Sequence, residues 1–426
     1  MILQLTSLMF AGIIICLTIF DQRRLRTILT PFTVTAWPFV IISILVNFVL
    51  VDMQFQPITL RVHFFILVNL FILYLCGFIL SFFVNKGDLT RNATPFSAIF
   101  KPFAVYDLFI VMVSWLVIIA TLYQAYSLLR HYGGFAFLGD PRFEEMMIVG
   151  IVAHLVQLGK VCFILLCFLY KNSRYKIIIW PTLIGLFIAI AAIQVKYHLL
   201  WLLIMVYFFN FLEKPVKQQL KNLLLVALSV IVIMNLFWIL LTLAWGTFSV
   251  SSRGIHEFLF KLTMNYITTG PVALNQWLNH ADCKPEWTML TVFLNLKNVI
   301  TGNPLRLNNL QYVNLGFLET GPGLSSNVGT AYGVYYIVGG WVFTLFMTTV
   351  VSLLSYWIFY KTRQIKNPYI IFFNLLALTL GLLTFFVQYF TLLSLYEMTA
   401  IYVLFIAVFQ LLNFMKSTSL TPELIK

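Results

Sequence analysis

Apolar runs long enough to cross a lipid bilayer follow one another through most of this 426-residue chain. A spanning helix needs roughly 20 apolar residues, and a backbone in hydrocarbon must satisfy its own hydrogen bonds. The runs are continuous and do not alternate with polar residues, so they predict helices and not the strands of a membrane barrel. The predicted spans lie near residues 2–20, 30–51, 62–84, 104–128, 147–170, 177–194, 197–212, 223–246, 333–359, 368–391 and 397–415.

The composition excludes a soluble fold, because 61% of the residues are hydrophobic and only 10% are charged. Soluble domains are about half apolar and a quarter charged. We therefore expect an all-α polytopic membrane protein with about eleven spans, folded as one domain over residues 1–426. The stretch 177–212 is predicted to hold two short helices. One long tilted helix is the alternative, and it would move every later loop to the other side.

The orientation follows from the Lys and Arg residues of the short loops, which concentrate on the cytoplasmic side of membranes. These residues cluster after every odd-numbered span, for example Arg23, Arg24 and Arg26 after the first. The N-terminus is therefore expected outside the cell and the C-terminus in the cytoplasm. The net charge of +13 arises largely from these loops, and it does not indicate nucleic-acid binding.

Two segments on the predicted outer side are longer than a turn requires, namely 129–146 and 247–332. Long connections in a compact architecture are usually functional. The larger one is expected to form one extracytoplasmic loop. It contains helical-looking apolar pieces at 255–268 and 288–300, whose apolar faces should lie on the membrane or on the mouth of the bundle. A structural cap without a ligand is the alternative interpretation.

Three short motifs on the outer side resemble a known family. HYGGFAFLG at 131–139 is followed by Arg142, YITTGPVALNQWLN occupies 266–279, and SNVGTAYGVYYIVGGWVF occupies 326–343. Together with the span pattern, these motifs resemble bacterial oligosaccharide repeat-unit polymerases of the Wzy (O-antigen polymerase) type. Lys196 stands where that family often has an arginine between two mid-chain spans, and no acidic residue precedes the last Gly pair.

The resemblance implies a membrane glycosyltransferase of lipopolysaccharide and surface polysaccharide biosynthesis. Such an enzyme transfers a growing glycan from undecaprenyl pyrophosphate to the next lipid-linked repeat unit, at the outer face of the bacterial inner membrane. The implied partners are the lipid-linked oligosaccharide, membrane lipids and a chain-length regulator protein. Three other functions stay open: a flippase for lipid-linked oligosaccharides, an O-antigen ligase, and a transferase that uses a polyprenyl-phosphate sugar.

The leaving pyrophosphate needs cations or hydrogen-bond donors near the level of the lipid headgroups. Arg142, Lys196 and Arg253 are the foremost candidates on the predicted outer side, and Arg306 is a fourth. Each of them has the alternative role of meeting anionic lipid or a nearby carboxylate. The resembling motifs add Tyr266 and Asn327 as candidate substrate-binding residues.

The attacking sugar hydroxyl needs a base or a positioning acceptor. His256 and Glu257 follow the predicted end of the eighth span, and a histidine titrates near neutrality. We therefore predict these two as catalytic residues. His280, Asp282 and Glu319 are rivals, and for each of the five a solvated loop position is the alternative.

A polar stripe runs along the predicted fifth span, because His154, Gln157 and Lys160 recur every three residues and share one helical face. Burying a lysine so far inside an apolar span costs free energy, and its presence therefore suggests a functional site. Lys160 is thus a further candidate for binding the carrier or glycan, and a packing role is the alternative.

No motif for a metal or a nucleotide is present, so the sequence predicts no cofactor and a metal-independent reaction.

Overall fold

The computed structural model describes residues 1–84, 95–147, 150–193, 196–223, single positions between 225 and 235, and then 252–280, 289–301, 318–321, 324–326, 329–386 and 392–419. Almost all of these residues are helical. We number the helices of seven or more residues whose two ends are described: α1 (Ile2–Leu25), α2 (Pro31–Phe48), α3 (Leu60–Ser81), α4 (Asp107–Tyr132), α5 (Pro141–Met147), α6 (Ile151–Leu169), α7 (Lys176–Ala192), α8 (Lys196–Phe211), α9 (Ser252–His280), α10 (Thr291–Ile300), α11 (Ala331–Gln364), α12 (Pro368–Leu382) and α13 (Leu393–Ser419).

The predicted all-α polytopic membrane fold is confirmed. Within the described ranges, eight helices are long and apolar enough to cross a membrane, and α7 and α8 are two shorter apolar helices. These ten match ten of the predicted spans. The remaining one, 223–246, lies largely outside the described residues, although residues 216–223 are helical and lead towards it. The stretch 177–212 forms two helices as predicted, because α7 ends at Ala192 and α8 begins at Lys196.

Several helices begin and end where local chemistry favours it. The Thr30 hydroxyl accepts the amide of Thr33 at 3.1 Å, and Pro31 occupies the first helical position of α2. Asn367 caps α12 in the same way, ahead of Pro368. At the C-terminus of α4, Gly133 takes a φ of 105° and ends the helix in the left-handed conformation.

Helix α11 is broken near its start. Gly339 and Gly340 leave helical geometry, and Gly340 has a φ of 66° and a ψ of −161°, a conformation that essentially only glycine adopts. Helix α11 therefore consists of a short helical piece over 331–338 and a long span over 341–364. Both pieces pack along α3, where the Thr348 hydroxyl donates to Asn69 Oδ1 at 2.7 Å.

The long connection before α11 forms a cap on one end of the bundle, which we call the long-loop end. Within the described residues it contains α9, α10 and a small antiparallel pair, β1 (Leu318–Gly321) and β2 (Leu324–Ser326). Asn275 of α9 accepts the Thr59 hydroxyl at 2.8 Å, at the start of α3. Farther back on α9, Tyr266 packs on Phe386, just after α12, with ring centroids 4.6 Å apart.

Helix α9 runs farther than the predicted apolar piece 255–268 and ends at His280. Its second half is also buried in the protein, with Thr269, Val272 and Leu274 inaccessible. Gly270 allows this position, since a Cβ atom there would lie 1.9 Å from the carbonyl oxygen of Phe385. The expectation that these pieces lie on the bundle mouth holds for α9, whose contacts are with helix ends.

Candidate functional site at the long-loop end

Three helices contribute ionisable side chains to one polar cluster. His154, Gln157 and Lys160 come from α6, His198 comes from the first turn of α8, and Glu397 comes from the first turns of α13. Helix α13 begins at the long-loop end, because it follows the α12 terminus on which α9 packs. Helix α6 begins at the same end, because His154 near its start pairs with Glu397 of α13. We refer to these five residues as the polar cluster.

Lys160 forms the deep part of the polar cluster. Its Nζ donates to Gln157 Oε1 at 2.8 Å and lies 2.7 Å from His198 Nδ1, and the residue is only 2% exposed. Glu397 lies within electrostatic reach of this Nζ. These contacts tie α6 to α8, and they supply the acceptors that a lysine surrounded by apolar side chains requires.

His154 and Glu397 form the shallow part of the polar cluster. The imidazole Nδ1 lies 2.5 Å from Glu397 Oε1, and the two side chains are 62% and 25% exposed. A carboxylate on one ring nitrogen fixes the orientation of an imidazole and leaves the other nitrogen for chemistry. The pair can therefore bind, accept or donate a proton at the surface of the bundle.

An apolar cavity of about 510 Å³ lies between α11, α12 and α13, and its lining residue Tyr396 directly precedes Glu397 of the polar cluster in the chain. It begins at the long-loop end, where Tyr332, Thr384 and Leu395 line it, and it continues past mid-membrane to Ile358 and Pro31. The remaining lining is contributed by Thr35, Leu73, Ala331, Tyr335, Thr348, Val351, Ser352, Leu354, Ser355, Phe373, Leu376, Ala377, Leu380, Gly381, Tyr396, Thr399, Ala400 and Val403.

Neighbouring residues near the start of α13 belong to the polar cluster, line the cavity and contact the long-loop cap. Tyr396 lines the cavity and contacts Phe293 of α10 edge-on, with ring centroids 5.3 Å apart. The next residue, Glu397, turns to His154. A molecule with an apolar tail in the cavity could thus have its polar end at the first turn of α13, which carries both Tyr396 and Glu397.

Several residues predicted for the site lie elsewhere. Glu257 is exposed and pairs with Lys261 one turn later at 2.8 Å. The hydrogen bond from Lys261 lowers the pKa of the Glu257 carboxyl, so this carboxylate is a weak base in a solvated ion pair. Arg253 and His256 belong to the same first turns of α9, and their side chains lie outside the described part of the structure.

Arg142 stabilises its own loop. Its guanidinium pairs with Asp140 at 2.5 Å, and its backbone N–H donates to Asp140 Oδ1 at 2.9 Å, at the start of α5. The hydrogen bonds from Arg142 lower the pKa of the Asp140 carboxyl. The side chain of Arg142 stays 64% exposed, which matches the alternative reading of a basic residue that meets a nearby carboxylate.

The other predicted residues divide into two groups. Lys196 begins α8 two residues before His198, so its backbone lies next to the polar cluster, and Tyr266 is half-buried against Phe386. Arg306 and Asn327 lie outside the described residues, as does Asp282. In the described ranges, no three His, Cys, Asp or Glu side chains converge as the ligands of a metal ion would.

Sequence reasoning missed His198 and Glu397. Glu397 stands alone as an acidic residue in the last apolar run, and an ionisable residue in a span was the available signal. His198 was visible in the hairpin between two short spans. Its partner was unknowable, because helical periodicity gives the face of a helix and not the helix opposite.

Comparison with known proteins gives a family and no function. Residues 50–417 match the model of DUF6337, which is described as a family of unknown function, and the chain belongs to this family. No curated protein and no solved structure matches the chain.

Proposed function

We propose that this member of the DUF6337 family is a membrane glycosyltransferase that polymerises lipid-linked oligosaccharide repeat units. It would transfer a growing glycan from undecaprenyl pyrophosphate to the next lipid-linked unit, without a metal. The observation that carries the proposal is the meeting of a long apolar cavity, an imidazole–carboxylate pair and a loop cap at the first turn of α13. Such a substrate has an apolar tail, an anionic linkage and a glycan, in that order.

The cavity suits a polyprenyl chain. Its lining on α11 extends from Tyr332 to Ile358, and the part after the break covers about 15 Å from Thr348 to Ile358 at 1.5 Å per residue. With the broken start of α11 included, the cavity spans much of a hydrocarbon layer of about 30 Å. Leu354 in the lining is 54% exposed on the bundle surface, so a lipid can enter sideways.

The positive-inside pattern supports an outer position for the long-loop end. The basic residues in the last turn of α1, Arg23 and Arg24, lie at the opposite end of the bundle from α9. This assignment gives an outer N-terminus and a cytoplasmic C-terminus in a bacterial inner membrane. It also puts Lys196 at the level where the pyrophosphate charge would develop. Arg253 starts the cap on the same side.

Deletion in the native host followed by glycan electrophoresis separates the candidate functions. We expect surface glycan that carries a single repeat unit when the polymerase is missing. Polymer that stays on the lipid carrier would instead identify a ligase. Complete absence of surface glycan would identify a flippase, and either pattern would overturn the proposal.

A cavity-filling variant tests the lipid site. Ala400 lines the cavity, whereas Ala407 lies two turns later on α13, exposed and outside the lining. Ala400→Trp should raise the KM for the lipid-linked unit about tenfold in proteoliposomes, equivalent to about 1.4 kcal/mol of lost binding. Ala407→Trp is the matched control and should leave the KM unchanged. Equal values of KM for both variants would exclude the cavity as the tail site.

A further inference from the structure

We propose that His154 is the residue that takes the proton from the acceptor sugar hydroxyl, and that Glu397 positions it for this step. The inference rests on the proposed function and adds a specific chemical role to two residues of the polar cluster. It starts from the geometry of their contact, an imidazole Nδ1 within 2.5 Å of a carboxylate oxygen at the long-loop end.

The carboxylate sets the tautomer of the imidazole. With Glu397 accepting from Nδ1–H, the lone pair of a neutral His154 lies on Nε2. The His154 side chain is 62% exposed, and no described residue bonds Nε2, so that nitrogen is open to an incoming hydroxyl. Glu397 is more enclosed than His154, as expected of a group that orients a base and does not itself meet the substrate.

The other histidines whose side chains are described lack this arrangement. His63 is buried between Ser43 and the carbonyl oxygen of Thr59. His198 is buried, and its Nδ1 is occupied by Lys160 Nζ. His131 lies against Tyr132 with no carboxylate bonded to it among the described residues.

The deep part of the polar cluster fixes the pair in place. Lys160 joins α6 to α8 through His198, and Gln157 lies between Lys160 and His154 on the same helical face. Six residues, or about one and two-thirds helical turns, separate His154 from Lys160, a rise of about 9 Å. The contacts of the buried Lys160 therefore restrict the rotation of α6, the helix that carries His154.

The proposed step balances as follows. The acceptor hydroxyl oxygen forms a bond to the anomeric carbon of the growing glycan while its proton passes to His154 Nε2. The bond from that carbon to the pyrophosphate oxygen breaks, and its electron pair leaves with the lipid pyrophosphate. Glu397 stabilises the imidazolium, which then releases the proton to water.

The test is turnover of purified protein in proteoliposomes that contain the lipid-linked single repeat unit. His154→Ala should lower kcat about a hundredfold or more, the usual contribution of a general base, with little change in KM. Added imidazole should restore part of the rate, and the restored rate should rise with pH as imidazole loses its proton. Glu397→Gln should lower kcat about tenfold or more, and Glu397→Asp should recover part of it.

Three results separate this inference from the function on which it rests. Wild-type protein that binds the lipid-linked unit but forms no polymer overturns the proposed function and the base together. Polymer formation by His154→Ala within twofold of wild type overturns the base and leaves the polymerase. A low rate of His154→Ala without imidazole rescue, at an unchanged thermal midpoint, would also reject proton transfer by this residue.

Discussion

Two clusters of ionisable side chains stand at opposite ends of the helix bundle and differ in how far their side chains are enclosed by protein partners. At the end away from the long loop, Asp21 is fully buried and pairs with Arg24, and the Tyr356 hydroxyl donates to Asp21 Oδ2 at 3.3 Å. Arg363 of the same cluster donates to the carbonyl oxygen of Leu25 at 2.8 Å and lies over the Phe359 ring. At the long-loop end, His154 is largely exposed beside its single carboxylate partner.

The difference separates a cluster with structural contacts from one for which we propose a chemical role. The cluster around Asp21 links α1 to α11, and the Asp21 carboxylate is already paired with Arg24 and Tyr356. The polar cluster also contains ionisable groups, but its outer pair faces the surface, and Glu397 follows the cavity residue Tyr396. Burial of a charge in a membrane protein therefore does not by itself identify a functional site, and partial exposure distinguishes the pair that we propose as the site.

The largest effect, a loss of stability, is expected when Asp21 is substituted. Asp21→Asn leaves Arg24 without its anionic partner, and breaking a buried pair costs about 3 kcal/mol or more. We expect a clearly lower thermal midpoint in detergent, with normal kcat for the protein that stays folded. Arg23→Gln, at an exposed neighbouring position, is the control and should leave the midpoint unchanged. A large loss of kcat at an unchanged midpoint in Asp21→Asn would contradict the distinction between the two ends.

The second effect is expected at Lys160 and concerns turnover more than stability. Lys160→Met removes the cost of burying a polar amine, and this gain roughly offsets the loss of the contacts to Gln157 and His198, so stability should change by about 1 kcal/mol. Turnover should fall about tenfold because α6 loses its link to His198. Lys171→Met, exposed beyond the other end of α6, should behave as wild type. Polymer of normal length and amount from Lys160→Met would remove this residue from the site.

The smallest effect is expected at Arg142. Its hydrogen bonds lower the pKa of Asp140, so the local stabilisation is present above pH 3.8 and is lost as the pH falls through the depressed value. In Arg142→Met, a carboxyl NMR titration of Asp140 should return to the ordinary midpoint of 3.8. Arg130→Met should leave the titration unchanged. Polymerisation should hardly respond to Arg142→Met, and a strong response would restore Arg142 as a pyrophosphate ligand.

Much of the fold could be predicted because a lipid solvent leaves few choices. Run length alone located ten of the described helices, and the short hairpin between α7 and α8 was correctly placed. Helix α9 was predicted too short, since a Gly-Pro pair at 270–271 ordinarily signals a turn. In the folded chain, Pro271 lies inside the helix and Gly270 lies against the Phe385 carbonyl oxygen, a tertiary contact that the sequence does not encode locally.

The site could be predicted only in part. The spacing of His154, Gln157 and Lys160 correctly identified a polar face on one span. Their partners His198 and Glu397 lie far away in sequence, and no local pattern tells which helices will pack together. The loop residues Glu257 and Arg142 have the charges that the chemistry needs, but nearby residues of opposite charge already pair with them.

The break at Gly339–Gly340 has a mechanical consequence for the long-loop cap. A continuous helix transmits an axial push along its length, whereas a chain without helical hydrogen bonding at one point bends there. The angle between the two pieces of α11 is therefore set at Gly340, whose backbone conformation other residues rarely tolerate. The piece 331–338 carries Tyr332 and Tyr335 of the cavity lining and Gly333 beside Trp277 of the cap, so a bend at Gly340 would move the cap-side wall of the cavity and leave the lining from Thr348 to Ile358 in place.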